Sequence, residues 1–450
     1  MVNADTIWDQ QAERMPADER AALQARRLDD LLGRLAERSP VYRERLAAAG
    51  VGPGAKVGLD ALADLPFTTK QDLWDAYPWG LLAVPREQVL RVHGSSGTGG
   101  RPTLVAYSRA DLELWAQVCA RALGCAGARP GTVTHVAYGY GLFTGGLGLH
   151  GGAELMGCTV IPASSGQSSR QVRLLRDLGA EILCCTPSYA ARLGEVLGEE
   201  GIRKDELRLR AGIFGAEPWS EAMRAQLESL LPLKALDIYG LSEVIGPGVS
   251  SECIEAQAGL HVNEDHFLVE VVEPETGRRL GAGDRGELVF TTLTKQAMPV
   301  LRYRTGDIAS LDPSPCVCGR TLARMSKVTG RKDDMLVIRG VNVYPSEVEA
   351  VLVAERALGP QYLLVVDRTE TMPKLVVACE LVAGWTICEE TEQAERARVA
   401  DEVGAALRQR LGLATEVHVL PPGTIPRTEM GKAKRVVDKT PDEDPLPGWL

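Results

Sequence analysis

Two groups of residues in this chain have the types and spacing to do chemistry. The first is Ser95-Ser96-Gly97-Thr98-Gly99-Gly100-Arg101-Pro102. Its glycines remove side chains where an anionic group must approach the backbone closely. Its hydroxyls and exposed N–H groups can donate to phosphate oxygens as an anion-binding nest. No Gly-Lys-Ser/Thr ending is present and no helix opens at once, so this is not a Walker loop. Taken alone, the octet reads equally as a flexible Gly/Ser turn, and the downstream sequence must decide. The second group is Cys253, His261 and Cys316-Val317-Cys318-Gly319. Three cysteines and one histidine suit a tetrahedral structural zinc site. His266 is the substitute should His261 point away. Cys-x-Cys is tighter than a zinc-finger knuckle and the two halves are far apart, so three reduced thiols near each other is the alternative.

The frame that positions these groups is large. A chain of 450 residues is too long for one hydrophobic core and splits into two or more domains. Hydrophobic residues at 45% and charged residues at 24% are ordinary for a globular protein. The net charge of −10 provides no basic footprint for nucleic acid. A polyphosphate ligand would therefore need local positive charge or a metal ion. No apolar run is long enough for a membrane span. Met1–Thr6 has neither the basic nor the apolar region of a signal peptide. Cys119, Cys125, Cys158, Cys184, Cys185 and Cys379 sit singly or paired within apolar runs, as buried thiols of a reducing cytoplasm do.

The entry segment, 9–49, carries Leu23, Leu28, Leu31, Leu32 and Leu35 at helical spacing, with a break at Ser39-Pro40. Thr68 or Thr69 caps a following helix. A strand lies on each side of the glycine-rich octet, making a hairpin-like unit. From there helices at 109–124, from the glycine-rich run 139–146 to about 156, and at 168–178, 188–199 and 219–230 alternate with strands at 132–138, 159–162, 182–185, 211–214 and 234–239. That alternation implies crossover units and largely parallel sheets. Beyond residue 247, strand-like runs at 268–272, 286–291 and 300–303 follow one another without long helices. They predict an antiparallel, barrel-like subregion. A small α+β module follows, with strands at 335–338, 362–367, 374–381 and 416–420 and helices at 345–354 and 389–411. The acidic tail 440–450 reads as a loosely held end.

Five further segments stand in order: Gly215-Ala216-Glu217-Pro218, Tyr239-Gly240-Leu241-Ser242-Glu243, Tyr303-Arg304-Thr305-Gly306-Asp307, Gly330-Arg331-Lys332-Asp333-Asp334 with Arg339-Gly340-Val341-Asn342-Val343-Tyr344-Pro345, and Pro426-Arg427-Thr428-Glu429-Met430-Gly431-Lys432. Each is a weak signal. Together they resemble the adenylate-forming superfamily of acyl-CoA synthetases, luciferases and peptide-synthetase adenylation domains. The Ser-Ser-Gly-Thr opening, the run 137–146 and the run 339–345 are most similar to phenylacetate–CoA ligases. The resemblance covers roughly residues 10–440.

The resemblance implies an α/β fold. A large N-terminal domain, 1–330, holds layered sheets and helices. A hinge follows at 331–333, then a small mobile α+β domain at 334–450. It implies ATP-dependent activation of an aryl or arylacetic acid to an acyl-adenylate, then transfer to coenzyme A. A carboxylate is a poor electrophile, and AMP supplies the leaving group. The carboxylate must be held in line with the α-phosphorus while charge is neutralised around it. Lys432, carried past the ligand beside Gly431, is the expected catalytic cation. Glu243 is suited to holding Mg²⁺ against phosphate oxygens. Residues Ser95, Ser96, Gly97, Thr98, Gly99, Gly100, Ala216, Glu217, Pro218, Asp237, Tyr239, Gly240, Ser242, Asp307 and Arg331 are expected around the nucleotide. Of these, Tyr239 would stack on adenine, and the family assigns Asp307 to the ribose hydroxyls.

Tyr138, Tyr140, Phe143, Gly145, Ala216, Ile238 and Pro247 resemble an aryl pocket, with core packing as the alternative for several. A hydroxyl of Tyr138 or Tyr140 could read a ring substituent. Asp333 matches the hinge, and Arg339, Gly340, Val341 and Asn342 the pantetheine tunnel. Related ligases carry the same cysteines, which supports zinc at Cys253, His261, Cys316 and Cys318. Family likeness also suggests a homodimer. The octet departs from the pattern, since Gly99 replaces a second threonine and Arg101 a common lysine. Transfer to a carrier-protein thiol or an amine is the rival activity. A non-catalytic nucleotide sensor is a further rival, disfavoured by the presence of Glu243, Asp307 and Lys432.

Overall fold

The computed structural model describes residues 7–95, 103–328, 330, 336–338, 341–369, 373–382, 385, 389–427 and 435–439. Helix Ala17–Arg38 buries Leu28, Leu31, Leu32 and Leu35 on one face. Ser39, fully buried, ends it and also precedes helix Pro40–Ala48, whose proline occupies the first turn, where a missing N–H costs nothing. Thr69 caps helix Lys70–Asp75 in a reciprocal box with Asp72.

A nine-stranded sheet organises the larger part of the molecule. Five parallel strands form one side, in spatial order Thr159–Ile161, Val133–Val136, Ile182–Cys185, Ala211–Gly215 and Lys234–Leu241. Ile182–Cys185 and Ala211–Gly215 are buried at every position, as strands covered by helices on both faces must be. Gly246–Ser251, Leu260–Val262, Arg324–Met325 and Leu311–Asp312 extend the sheet antiparallel.

The region expected to be barrel-like is different. Phe267–Val272, Gly286–Thr292 and Tyr303–Ala309 form a three-stranded antiparallel sheet, not a closed barrel. Two strands absent from the sequence expectation, Gly246–Ser251 and Leu260–Val262, went to the large sheet instead, and three strands cannot close on themselves. The strand expected at 300–303 begins only at Tyr303. Arg302, just before it, takes a left-handed backbone (φ 45°) while its buried guanidinium pairs with Glu270 and donates to the carbonyls of Ala63 and Leu65.

Strand Arg91–Ser95 pairs antiparallel with Thr103–Tyr107, as expected of the two strands flanking the glycine-rich octet. The C-terminal part has its own four-stranded sheet, ordered Glu416–Leu420, Lys374–Leu381, Leu358–Asp367 and Val436–Lys439, and its own apolar core. Helices Pro345–Ala354 and Glu389–Leu411 belong to it. No helix of the described residues is long and apolar enough to cross a membrane.

Candidate functional site

A cavity of about 820 Å³ opens beyond the carboxyl ends of strands Ala211–Gly215 and Lys234–Leu241. Ligands bind at this edge of parallel α/β sheets. The chain reaches it through two tight turns. At the first, a side chain on Gly215 would lie 2.2 Å from the Ile238 carbonyl, and Ala216 follows with φ 72°. A left-handed alanine is strained backbone of the sort functional sites retain. Glu217, next in line, accepts from the Ser188 N–H at 2.9 Å and the Ser188 hydroxyl at 2.5 Å. At the second turn, a side chain on Gly240 would meet the Gly246 carbonyl at 1.9 Å. Only glycine fits the register shift there, between Tyr239 and Gly240.

Several polar groups converge on this wall. The Tyr239 hydroxyl donates to the Asp307 carboxylate at 2.6 Å, and its ring stacks on Phe290 with centroids 6.0 Å apart. Sequence assigned these two residues to adenine and ribose separately; the fold joins them. Glu243, nearly buried, faces the cavity and accepts a long bond (3.4 Å) from the Tyr303 hydroxyl. A carboxylate placed so fits a hard cation such as Mg²⁺. Asp237 also lines the cavity. Burial pushes its carboxyl up to about 7, with Lys327 pulling it down and Glu252 pushing it further up. Ser242 shares a hydrogen bond with Thr144 at 3.4 Å.

The apolar end is lined by Tyr138, Phe143, Gly145, Ala216, Ile238 and Pro247. The Tyr138 and Phe143 rings stand 6.5 Å apart at 47°. A methyl group on Gly145 would lie 2.5 Å from the Phe143 ring, so glycine is what lets both rings sit there. The Tyr138 hydroxyl donates to the Ile213 carbonyl at 3.4 Å. Tyr140 is not among the lining residues; its hydroxyl shares a hydrogen bond with His150 Nδ1 at 3.2 Å. Both hydroxyls are thus engaged within the protein.

The C-terminal part closes the cavity with residues that sequence did not single out. Tyr362, Glu349 and Arg435 line it. Arg435 lies over the Tyr362 ring at 4.3 Å, and the Tyr362 hydroxyl donates to Glu349 at 2.9 Å. Glu349 also accepts from the Ser220 N–H at 2.9 Å, across from the large sheet's helices. Lys70, beside the cap at Thr69, lines the opposite side.

Ser96, Gly97, Thr98, Gly99, Gly100, Arg331, Asp333, Arg339, Gly340 and Lys432 lie outside the described residues. Ser95 and Asn342 are described in backbone only, at the end of strand Arg91–Ser95 and within Val341–Val343.

Away from the cavity lining, Cys253, His261, Cys316 and Cys318 bring their ligand atoms within 4.8 Å of one another, all buried. Cys253 Sγ is 3.8 Å from Cys316 Sγ, and Cys318 Sγ is 3.5 Å from His261 Nε2. A tetrahedral zinc with ordinary bond lengths has edges of about 3.8 Å between sulfurs and about 3.5 Å between sulfur and nitrogen. The residues therefore fit that ion. His266 is not a ligand candidate: its Nδ1 meets Thr294 at 2.8 Å and its Nε2 meets Asp265 at 3.1 Å.

The family model of the AMP-binding enzyme matches residues 83–294, and that of the AMP-binding enzyme C-terminal domain matches residues 340–440. The chain is 49% identical over 441 residues to a phenylacetate–coenzyme A ligase of Thermus thermophilus, covering 96% of this chain and 99% of that one. Among solved structures it is similar to 2-hydroxyisobutyryl-CoA ligase in the postadenylation state, at TM-score 0.88 and 30% identity, covering 98% of this chain and 94% of that one. Against the same ligase with CoA in the thioesterification state, over the same shares, the TM-score is 0.71.

Proposed function

We propose that this chain, which belongs to the AMP-binding enzyme family and is an AMP-forming acid–CoA ligase, activates an arylacetic acid bearing an unsubstituted or apolar ring. The observation that carries this choice is the apolar end of the cavity. Tyr138, Phe143 and Ile238 surround a flat slot made possible by Gly145, and both nearby tyrosine hydroxyls are taken. A polar ring substituent would enter without a partner and lose its hydration. The relative from Thermus thermophilus is a phenylacetate–coenzyme A ligase, which supports the same class.

In this proposal the acid lies with its ring in that slot and its carboxylate toward Glu243. Tyr239 stacks on adenine while Asp307, held by the Tyr239 hydroxyl, accepts from the ribose. The backbone of Ala216–Pro218 flanks the base. The loop 95–100 holds the phosphates, with Arg331 nearby. Mg²⁺, which Glu243 would hold, neutralises phosphate charge when bound. Lys432 supplies the cation beside the α-phosphate, where charge develops as the carboxylate attacks. The bond formed joins the carboxylate oxygen to phosphorus, and pyrophosphate leaves. CoA thiolate then attacks the acyl carbon and AMP leaves.

The division into 1–330, a hinge at 331–333 and 334–450 belongs to the proposal. The higher likeness to a postadenylation state than to a thioesterification state supports taking the present arrangement as the first of two. Rotation about Asp333 would bring Arg339–Asn342 to the acyl group for transfer. Zinc at Cys253, His261, Cys316 and Cys318 is likewise proposed.

A pyrophosphate-release screen tests the acid. Phenylacetate should exceed 4-hydroxyphenylacetate and benzoate in kcat/KM by about tenfold, the worth of one unpaired polar group or one lost methylene. Preference for the hydroxylated acid would overturn the proposed ring class. Phenylacetyl-CoA formed on addition of CoA alone separates this activity from transfer to a carrier-protein thiol or an amine.

A further inference from the structure

Four buried side chains donate to main-chain carbonyls of the two loops that wall the cavity. His93 Nδ1 meets the Leu142 carbonyl at 3.0 Å. Tyr107 donates to Ile245 at 3.1 Å and to Ser242 at 3.4 Å. Trp115 donates to Pro247 at 3.1 Å, and Lys295 Nζ donates to Glu243 at 2.9 Å. None is more than 2% exposed. They form one cluster: Tyr107 and Trp115 stack at 5.1 Å, His93 stands edge-on to both, and the Lys295 amine lies 5.2 Å over the Tyr107 ring.

Lys295 is the member that geometry alone does not explain. It is the one buried lysine among the described residues, and no carboxylate among them lies within ion-pairing distance. A neutral donor would hold a carbonyl equally well, whereas burying an ammonium is costly. Two carboxylates act on its charge, Asp111 more strongly and then Glu243. Asp111 already accepts from the N–H groups of Gln296 and Ala297, whereas the Glu243 carboxylate faces a cavity proposed for polyphosphate.

We propose that Lys295 is a positioning residue for adenylation: it fixes the Glu243 main chain and places a positive charge behind the Glu243 carboxylate on the cavity wall. The proposal rests on the assignment of Glu243 to the adenylation step.

The test is a double-mutant cycle on the full chain, with Lys295→Met, Lys295→Gln, Glu243→Gln and the Glu243→Gln/Lys295→Met double variant. The readouts are pyrophosphate exchange, calorimetric binding of α,β-methylene-ATP with Mg²⁺, and thermal unfolding. Lys295→Met should lower kcat by about tenfold or more and shift the KM for the acid by less than about threefold. Lys295→Gln, which keeps a donor without the charge, should lose at least about threefold. The double variant should be no slower, and bind the analogue no more weakly, than Glu243→Gln alone within about twofold, because both changes act on one group. Losses that multiply, in rate or in binding, would overturn the positioning role while leaving Glu243 in place. Wild-type rates in Glu243→Gln would instead overturn the assignment of Glu243 itself. If neither Lys295 variant yields folded protein, the amine serves the fold and the proposal falls.

Discussion

The cavity and the Cys/His cluster each gather polar groups from distant segments, but they are finished in opposite ways. Around the cavity, Ala216 is strained, Asp237 carries a carboxyl pushed up to about 7, and the Glu243 carboxylate accepts one long bond from the described residues. In the cluster, Cys253, His261, Cys316 and Cys318 are buried, and the Cys253–Cys316 and Cys318–His261 pairs are already at the edge lengths of a metal tetrahedron. One region leaves capacity facing empty space; the other encloses its capacity completely. That is the difference expected between a site that exchanges ligands at every turnover and the proposed zinc site, which would tie chain segments together once. The first costs stability, and the second contributes it.

The largest effect should come from removing the proposed catalytic cation. Lys432→Ala is expected to lower the adenylation rate by about 10²–10³-fold, the scale of one group that stabilises developing charge. Thermal unfolding and metal content should stay at wild-type values. A rate within tenfold of wild type would remove Lys432 from the chemistry.

Cys318→Ser should do the reverse. Near-stoichiometric zinc measured in protein purified without chelator should be lost. The unfolding midpoint should fall by about 5 °C or more, since metal-binding energy is folding energy. The kcat of the protein that remains folded should stay within about twofold. Equal zinc and equal stability would leave the four residues as neighbouring thiols and an imidazole.

Asp237 sharpens the contrast on the cavity side. Its native pKa, about 7, lies above the ordinary value for an unfolded aspartate, so the native state binds the extra proton between those limits. Stability from this group is fully present below about pH 4 and is lost as pH rises through 7. Ligand-free Asp237→Asn should therefore gain on wild type as pH rises, by about 2–4 °C in Tm at pH 8 and little at pH 4.5. An equal difference at both values would show that the carboxyl is not held neutral.

The smallest effect should be Gly99→Thr. Restoring the hydroxyl common in relatives should lower the KM for ATP by about threefold, the worth of one neutral hydrogen bond. No change in ATP dependence would show that backbone donors alone hold the phosphate.

Much of the scaffold was legible in the order of residues. Helices capped by Thr69, Ser108 and Thr186 and the alternating strands to Leu241 follow from local periodicity and capping, which neighbours in sequence decide. Cys253, His261, Cys316 and Cys318 were legible because soft ligands are rare and their chemistry is narrow. The three antiparallel strands after residue 247 were legible, but not that they remain an open sheet while Gly246–Ser251 and Leu260–Val262 join the large one, because strand partners are chosen across long separations. Arg435, Tyr362 and Lys70 went unnoticed because their surroundings in sequence are ordinary; only packing brings them to the cavity.

What the sequence by itself determined is the chemistry on offer: carboxylates at 243 and 307, a lysine at 432, glycines where the chain must pass closely, and a soft metal-ligand set. These are properties of residue types and short spacings. What only the tertiary structure decided is how they are combined. It bound Tyr239 to Asp307, turned the Tyr138 hydroxyl to Ile213 and that of Tyr140 to His150, and set a buried ammonium behind Glu243. Each of these is a contact between residues far apart in sequence or facing away from the site. Such contacts depend on the closed packing of the whole chain, which no local pattern specifies.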